Sequence, residues 1–279
     1  MSIPVKVSKR LSDGLKHFQP ILLSAKSRDA NESDTSMIVT DILSEMFGYD
    51  KYSELTRELS IRGTFCDLAT KIDGKYQMLI EVKAIGIDLK DSHIKQAVDY
   101  GSNKGIEWVA LTNGYIWKVF KIIFSKPLDF ELIFDVDILS LNYKKDSDLE
   151  NIFLLTRESM LKSGLYAYDI QKQATNKFNL AAIILSDTLI EVIRRELRRI
   201  SPEVKVQKED LKNVIMQDVL KRDVIECEKA EIAKKKVLKA ARKSINTKRE
   251  NNILRENTSE NENIQSSDNI SKEIIRQEN

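Results

Sequence analysis

The sequence predicts an α/β fold, a layered domain of helices and strands, followed by a mainly helical region. In the first part of the chain, segments with apolar residues at helical spacing alternate with short strand-like runs that border Asp-Gly and Asn-Gly pairs. After about residue 145, leucine and isoleucine recur every three or four residues. We therefore expect an α/β domain at 1–145, a helical region at 146–245 and a disordered polar tail at 246–279, where no periodicity is sustained.

The α/β domain contains a predicted helix at 33–47, where large apolar residues lie at helical spacing and Gly48 ends the helix. Two strand-like runs, 64–71 and 75–84, flank Asp73-Gly74. An Asp-Gly pair between apolar runs is a strong signal for a β-hairpin. We therefore expect the two runs to be neighbouring antiparallel strands.

A second helix is predicted at 91–102, with its end near Gly101. The strand EWVALTNG then ends on Asn113-Gly114, YIWKVFKI forms the next strand, and 131–139 forms a further one. The order helix, hairpin, helix, strand and hairpin partner is typical of α/β layers.

The helical region contains three long predicted helices, 147–161, 176–200 and 208–243, with Ser201-Pro202 between the last two. Within the third helix, residues 208–228 form an amphipathic face that requires a partner, either other helices of the chain or a second copy of it. No complete heptad run occurs, so a coiled-coil dimer is only one of these options.

The composition excludes several classes of protein. Hydrophobic residues make up 42% and charged residues 32% of the chain, which is ordinary for a soluble protein. No apolar run approaches the roughly 18 residues of a membrane span, and the first residues lack a signal-peptide core, so we expect a cytoplasmic protein without a membrane partner. We expect Cys66 and Cys227 to be reduced. Two histidines leave no zinc cluster, and the lack of GxxxxGK[ST] excludes that type of motor.

The net charge of +2 conceals two segments of opposite sign. Residues 229–249 carry nine Lys or Arg and one acid, whereas residues 250–279 carry seven acids and three bases. The basic run could contact nucleic acid or the acidic tail, or it could be the solvated side of a helix.

The predicted hairpin carries charged residues, Asp67, Glu81 and Lys83, inside its apolar runs. Glu81 and Lys83 are two residues apart, so on a strand they project from the same face. If Asp67 joins them, two carboxylates converge beside an ammonium group. The alternative is an exposed hairpin with alternating charge.

The turn decides whether Asp67 shares that face. A two-residue Asp73-Gly74 turn in regular strands would place residue 66 opposite Glu81 and direct Asp67 to the other face. A three-residue loop, 72–74, would pair 67 with 79 and bring Asp67 diagonal to Glu81. The metal-site hypothesis therefore requires the three-residue loop or another bulge within the strands.

Hard oxygen ligands of this kind suit Mg²⁺, with Mn²⁺ as a substitute, and the main-chain oxygen of Val82 would add a further ligand. Such an ion polarises a phosphodiester and offsets the charge that develops on phosphorus. Lys83 would orient or help to deprotonate the attacking water and stabilise the transition state.

The order of several sequence pieces resembles the PD-(D/E)xK nuclease superfamily, and most closely the N-terminal nuclease domain of type I restriction-enzyme R subunits in a stand-alone form. The pieces are Asn31-Glu32 at the start of the first predicted helix with FGYD at its end, Asp67 in FCDLAT, EVKA from Glu81, QAVDY from Gln96 to Tyr100, and TNGYIWKVF at 112–120. The resemblance covers about residues 30–140 and implies a restriction-endonuclease-like mixed sheet flanked by helices.

By position, the resemblance implies that Asp67 and Glu81 bind the metal and that Lys83 is the catalytic lysine. It implies Glu32 as a supporting acid near the metal, with Asp34 as a competing candidate because the helix start cannot be assigned to one residue. Ordinary helix N-terminal charge is the alternative explanation for Glu32.

Gln96 and Tyr100 are four residues apart and share a helix face, which in the family contacts or positions the DNA backbone. The alternative is a tyrosine packed between helix and sheet beside a polar neighbour. A second DNA-binding candidate is the arginine band of EVIRRELRRI, with Arg194, Arg195 and Arg198. That band could equally be the exposed side of a packed helix.

The chain departs from the family in two respects. Thr64-Phe65-Cys66 precede Asp67, so the proline of the family pattern is absent. Type I R subunits continue into a translocating motor, whereas this sequence does not, so we expect a stand-alone nuclease, a truncated relic or a component whose partner selects the target.

Two functions follow as hypotheses. The first is a Mg²⁺-dependent DNA endonuclease of restriction or defence type with catalytic residues Asp67, Glu81 and Lys83. The second is a non-catalytic DNA-binding or assembly protein that retains a nuclease fold. The complete charged set favours the first, since a module freed from catalysis has no physical need for it. RNA is a further candidate substrate. The expected partners are DNA and either a second copy of the chain or subunits of a restriction or defence system.

Overall fold

The computed structural model describes residues 3–61, 64–203 and 205–242. The chain divides into two compact units, Met1–Asp169 and Ile170–Asn279. Within the described residues the first unit contains a sheet flanked by helices and the second is helical. The predicted fold class, a mixed sheet flanked by helices and followed by a helical region, is confirmed.

One six-stranded sheet lies in the described part of the first unit, with its strands in sequence order. The strands are β1 (Leu55–Ile61), β2 (Thr64–Ile72), β3 (Lys75–Val82), β4 (Trp108–Thr112), β5 (Ile116–Ile123) and β6 (Asp129–Asp137). Neighbouring strands are antiparallel except β3 and β4, which are parallel. A parallel pair requires a crossover, and a helix supplies it here.

The helices of the first unit lie on both faces of this sheet. They are α1 (Val5–Ser27), α2 (Glu32–Asp41), α3 (Lys95–Lys104), α4 (Asp146–Phe153), α5 (Arg157–Leu161) and the first part of α6 (Gly164–Ala174). Residues of α1, α2, α4 and α5 pack on one face of the sheet, and residues of α3 pack on the other. Because successive strand residues alternate, Met78 and Ile80 of β3 enter the first core and Leu79 enters the second.

The β2–β3 hairpin turns through two residues, so the three-residue loop at 72–74, one of the two arrangements that the metal-site hypothesis allowed, does not form. Ile72 lies opposite Lys75, and Asp73 and Gly74 both have positive φ, 50° and 75°. These are the dihedrals of a type I′ turn, which matches the twist of antiparallel strands better than a wider loop.

A bulge within β3 takes the place of the wider loop. The pairing shifts between Thr70 and Lys71, and Gln77 is the extra residue of β3. Continuing the shifted register by one residue beyond its last pair places Asp67 opposite Glu81. The other arrangement allowed by the sequence, a bulge inside the strands, is therefore the one that the protein adopts.

The ends of α2 and α3 show how local chemistry limits each helix. The first predicted helix ends as expected before Gly48, which has a φ of 82°, after a turn of π-helix at Ile42–Met46. The second continues past Gly101 to Lys104 and ends at Gly105, whose φ is 70°. Gly101 instead lets α3 approach the sheet, because a Cβ atom there would lie 2.6 Å from Ile122 Cδ1.

Among the described elements of the first unit, α1, β1 and α6 were not predicted. The buried residues of α1 recur at intervals of three and four, and they are Val7, Leu11, Gly14, Leu15, Phe18, Leu22 and Ala25. This spacing is the ordinary signal of an amphipathic helix and was sufficient to find it.

The long predicted helices of the C-terminal region are divided into shorter ones by residues that cap helix N-termini. Thr156 and Ser186 each accept a hydrogen bond from the backbone N–H three residues later and begin a new helix inside the predicted helices 147–161 and 176–200. Asn176 makes the same contact at the predicted start of a helix, which is confirmed. In the second unit the shorter helices include α7 (Lys177–Ile184) and α8 (Asp187–Ile200), followed by α9 (Lys208–Val214), α10 (Arg222–Ile225) and helical residues at 228–242.

The boundary of the first compact unit differs from the one expected at 145. Helices α4 and α5 belong to this unit because Leu149, Ile152, Phe153 and Met160 are buried in its core. The predicted polar tail at 246–279 lies outside the described residues. Among the residues that the structure describes, no helix is long and apolar enough to cross a membrane.

Candidate active site

Asp67 and Glu81 face each other across the β2–β3 pair. The bulge at Gln77 produces this arrangement, because it shifts the strand register by one residue after the turn. Asp67 Oδ2 also accepts a hydrogen bond of 2.7 Å from the backbone N–H of Val82, which holds its carboxylate at the end of β3. The structure therefore brings together the two acids that the sequence predicted as metal ligands.

Lys83 follows β3 directly and lies between two carboxylates. Its Nζ atom is 2.6 Å from Glu81 Oε1 and 3.6 Å from Glu32 Oε2. The side chains of Glu81 and Lys83 are 15% and 21% exposed, whereas that of Glu32 is 52% exposed. Glu32 thus forms the solvent-facing side of the charged group.

The start of α2 determines which acid reaches this group. Asn31 caps the helix, and its side-chain oxygen accepts a hydrogen bond of 2.9 Å from the N–H of Asp34. Glu32 is then the first helical residue and lies near Lys83, whereas the Asp34 carboxylate is 3.7 Å from Arg28. Of the two acids that the sequence left open, Glu32 is the one that contacts Lys83.

Burial and neighbouring charges alter the pKa values of this group in a consistent way. Burial raises the pKa of Glu81, and the charge of Asp67 adds to that effect, although the hydrogen bond with Lys83 opposes it. Burial alone would lower the pKa of Lys83, but the hydrogen bond and charge of Glu81, together with Glu32, outweigh it, and the pKa is raised. Lys83 is therefore an ammonium group at neutral pH.

The donor atoms of this group are of the kind that Mg²⁺ takes, but they do not form a compact set of three. Asp67, Glu81 and Glu32 offer hard carboxylate oxygens around the ammonium group of Lys83. Among the described residues, no set of three or more His, Cys, Asp or Glu side chains lies close enough together to hold a metal ion. Metal binding by this group therefore stays a prediction.

Cys66, next to Asp67, does not add a ligand. Burial raises the pKa of its thiol to about 12, and the charges of Glu81 and Asp67 act in the same direction. Cys66 and Cys227 are both free thiols.

Gln96 and Tyr100 lie on α3 but differ in exposure. Gln96 is exposed, whereas Tyr100 is 6% exposed and packs in the core between α3 and the sheet. Burial raises the pKa of its hydroxyl. This arrangement matches the packing alternative for Tyr100, and a DNA contact by either residue stays a prediction.

Arg194, Arg195 and Arg198 lie on α8 in the second unit. Arg195 and Arg198 are exposed, whereas Arg194 is half-buried and lies 3.5 Å from Glu191. Only part of the predicted arginine band is therefore open to a phosphate backbone.

Sequence reasoning missed the residues that hold the chain after Lys83. Asn113 was recognised only as part of a turn, yet it is buried and its amide group reaches the loop after β3. A polar residue buried in a turn requires hydrogen-bond partners, and this requirement could have identified Asn113 as a residue that contacts another segment.

The region around this site is similar to a known family. Residues 38–136 match the family model described as type I restriction enzyme R protein N terminus. The matched stretch includes Asp67, Glu81, Lys83 and Asn113 and begins after Glu32. The predicted resemblance is thereby confirmed for this stretch, which relates the first unit to restriction enzymes. No curated protein and no solved structure matches the chain.

Proposed function

We propose that the chain is a Mg²⁺-dependent DNA endonuclease of restriction or defence type, which hydrolyses phosphodiester bonds with Asp67, Glu81 and Lys83. The observation that carries this proposal is the opposed pair of Asp67 and Glu81, with Lys83 Nζ 2.6 Å from Glu81. The similarity of residues 38–136 to type I restriction enzymes supports it.

In this proposal Asp67 and Glu81 hold the ion, with the main-chain oxygen of Val82 and the carboxylate of Glu32 as further donors. When bound, Mg²⁺ polarises the phosphodiester and offsets the negative charge that develops on phosphorus. Lys83, kept cationic by its carboxylate neighbours, orients the attacking water and stabilises the transition state.

The test is cleavage of plasmid and linear DNA by the full chain with Mg²⁺ and with a chelator. We expect Asp67→Ala and Lys83→Ala each to lower the cleavage rate by about 100-fold or more, because each removes a charge that acts on the transition state. Asp41→Ala is the matched control, since this acid forms an exposed ion pair with Lys51. We expect the control to cut at the wild-type rate.

Cleavage that survives both Asp67→Ala and Lys83→Ala would remove the assignment of the site. A parallel reaction with single-stranded RNA determines whether the substrate is DNA, because phosphodiester chemistry alone does not distinguish the sugars.

A non-catalytic DNA-binding or assembly role is the second candidate. It is favoured by the lack of a compact three-acid cluster among the described residues. Binding of DNA with a steep salt dependence, without cleavage of any substrate in Mg²⁺ or Mn²⁺, would support this role and contradict the first.

A further inference from the structure

The loop that follows the catalytic strand, residues 83–90 and called the Lys83 loop below, is held at several points by the main chain. The N–H of Lys83 donates to the carbonyl of Thr112 at 2.8 Å, which extends the parallel pairing of β3 and β4. The N–H of Ile85 donates to the carbonyl of Ala30 at 3.2 Å, and Ile85 is fully buried. Because Ala30 precedes the start of α2, the Lys83 loop joins the end of β3 to the helix that carries Glu32.

Asn113 adds a side-chain contact to this loop. Its Nδ2 atom donates to the carbonyl oxygens of Ile85 and Ile87, at 3.3 and 3.1 Å. Its Oδ1 atom accepts a hydrogen bond of 3.0 Å from the N–H of Ile116, within the β4–β5 turn. The two halves of one amide thus serve different purposes: the oxygen supports the turn, and the nitrogen holds the Lys83 loop.

Asn113 is buried, which strengthens its hydrogen bonds, and a neighbouring strand adds a further contact with the loop. The side chain is 1% exposed, so water does not compete for its donors. Lys118, on β5, donates from Nζ to the carbonyl of Leu89 at 2.9 Å and holds the far end of the same loop. The β4–β5 turn and its strand therefore contact the Lys83 loop along most of its length.

We propose that Asn113 is a positioning residue of the candidate active site: its amide nitrogen holds the Lys83 loop and thereby keeps the end of β3 in place against the start of α2. In this arrangement Lys83 stays between Glu81 and Glu32. The catalytic part of this inference rests on the proposed function, whereas the contact between Asn113 and the loop does not.

Two variants of the full chain separate the halves of the amide. Asn113→Asp keeps the acceptor for Ile116 and removes the donor to the loop, whereas Asn113→Ala removes both. Asn142→Ala is the matched control, because its Oδ1 accepts only a turn hydrogen bond, 3.0 Å from the N–H of Lys144, at an exposed position. If Asn113→Asp does not fold, the exchange of the Ile85 N–H is measured in Asn113→Ala, in which the N–H of Ile116 also loses its acceptor.

Amide hydrogen exchange is the first measurement, because it is independent of catalysis. In the wild type the N–H of Ile85 should exchange slowly, and in Asn113→Asp it should exchange at least about ten-fold faster while the N–H of Ile116 stays protected. Asn142→Ala should leave both unchanged. Fast exchange of Ile85 in the wild type, or an unchanged rate in Asn113→Asp, would overturn the proposal.

Steady-state cleavage of DNA is the second measurement. We expect Asn113→Asp to lower kcat by about 10- to 100-fold with KM for DNA within about two-fold of the wild type, since misplacement of the reacting groups affects the chemical step. A loosened loop with unchanged kcat would overturn the positioning role. If the wild type cuts no DNA, the proposed function fails, and the exchange rates still decide whether Asn113 holds the loop.

Discussion

Glu81 and Lys83 lie in one half-buried group of charges, yet the surroundings favour the neutral form of one and the charged form of the other. Burial favours the protonated form of Glu81, whereas the surrounding carboxylates favour the charged form of Lys83. A pKa shifted by burial together with a specific charged neighbour is a feature of many functional sites.

The raised pKa of Glu81 leads to a prediction about the stability of the folded protein. Because the pKa of Glu81 is higher in the folded state than its ordinary value of 4.5, its contribution to stability is present below that value and is lost as the pH rises through the folded pKa. We therefore expect Glu81→Gln to unfold at the same temperature as the wild type or a higher one at neutral pH, without added metal. Thermal unfolding monitored by circular dichroism measures this difference.

The control for that prediction is Glu32→Gln, which removes the exposed partner of Lys83. We expect it to change the free energy of unfolding by no more than about 0.5 kcal/mol, as is usual for surface substitutions. A Glu81→Gln variant that is clearly less stable than the wild type at neutral pH would contradict the inference that burying the charged Glu81 carboxylate destabilises the folded state.

The residues of the candidate site could be predicted from sequence better than their surroundings. Asp67, Glu81 and Lys83 stand out because strands rarely carry charge on a face without a reason. The exposure of Gln96 against the burial of Tyr100 could not be predicted, because the face of α3 that packs on the sheet is settled only by tertiary contacts.

At the scale of elements, one ion pair connects the first helix to the rest of its unit. Arg10 of α1 donates from Nη1 and Nη2 to Glu158 of α5, at 2.8 and 2.6 Å. It also donates to the carbonyl oxygens of Met46 and Phe47, at the end of the π-helical turn after α2. The contact with Met46 satisfies a carbonyl group at a helix end, and the Phe47 carbonyl also accepts the N–H of Arg157.

We expect Arg10→Met to lower the free energy of unfolding by about 2 kcal/mol at neutral pH, because it removes the Arg10 donors from Glu158 and from the Met46 carbonyl, whereas the Phe47 carbonyl keeps the N–H of Arg157. Burial alone would raise the pKa of Glu158, but the hydrogen bond and charge of Arg10 lower it below its ordinary value of 4.5. This stabilisation is present above that value and is lost as the pH falls through the folded pKa. The difference between variant and wild type should therefore narrow in acid.

Urea unfolding at about pH 7 and about pH 3 measures both parts of this expectation. Lys145→Met is the control, because the side chain of Lys145 is 64% exposed in its ion pair with Asp148 and such pairs contribute little. A cost for Arg10→Met that is equally large at both pH values would show that packing, and not the charged pair, accounts for it.

Element types were easier to predict than element ends. The order from hairpin to third strand was correct because Asp-Gly, Asn-Gly and strand-forming residues give strong local signals. The breaks of the long helices at Thr156 and Ser186 were missed because both residues lie within continuous apolar spacing, and only the observed N-cap hydrogen bonds separate the helices. The predicted helix start at 176 is confirmed, since Asn176 caps α7.

At the scale of the whole molecule, the two compact units carry different candidate functional features. The first carries the candidate active site, and the second carries the arginine-rich helix α8. Their separation could not be placed from sequence, because the core of the first unit extends beyond the sheet into α4 and α5, whose apolar spacing resembles that of the later helices.

We expect α8 to contribute to DNA affinity through its exposed arginines. If Arg195 and Arg198 each neutralise one phosphate, the double variant Arg195→Ala and Arg198→Ala should reduce the slope of log K against log salt by about 2. Arg194→Ala should leave the slope nearly unchanged, since this side chain lies beside Glu191 and is half-buried. Fluorescence anisotropy of labelled duplex DNA over a series of salt concentrations measures the slopes. Equal slopes for wild type and double variant would remove α8 from the DNA interface.

The bulge at Gln77 shows how the sequence separation of two acids in a hairpin relates to the form of that hairpin. In a regular hairpin with a two-residue turn, opposite residues always differ by an odd number, as Ile72 and Lys75 do. Asp67 and Glu81 differ by an even number, so one residue must stand outside the pairing before the two acids can face each other. Chains with an odd separation can use a plain hairpin, whereas chains with an even separation require a bulge or a wider turn. A sequence pattern that allows any number of residues between the two acids therefore groups plain hairpins with bulged or wider ones. Whether that number is odd or even distinguishes the two kinds.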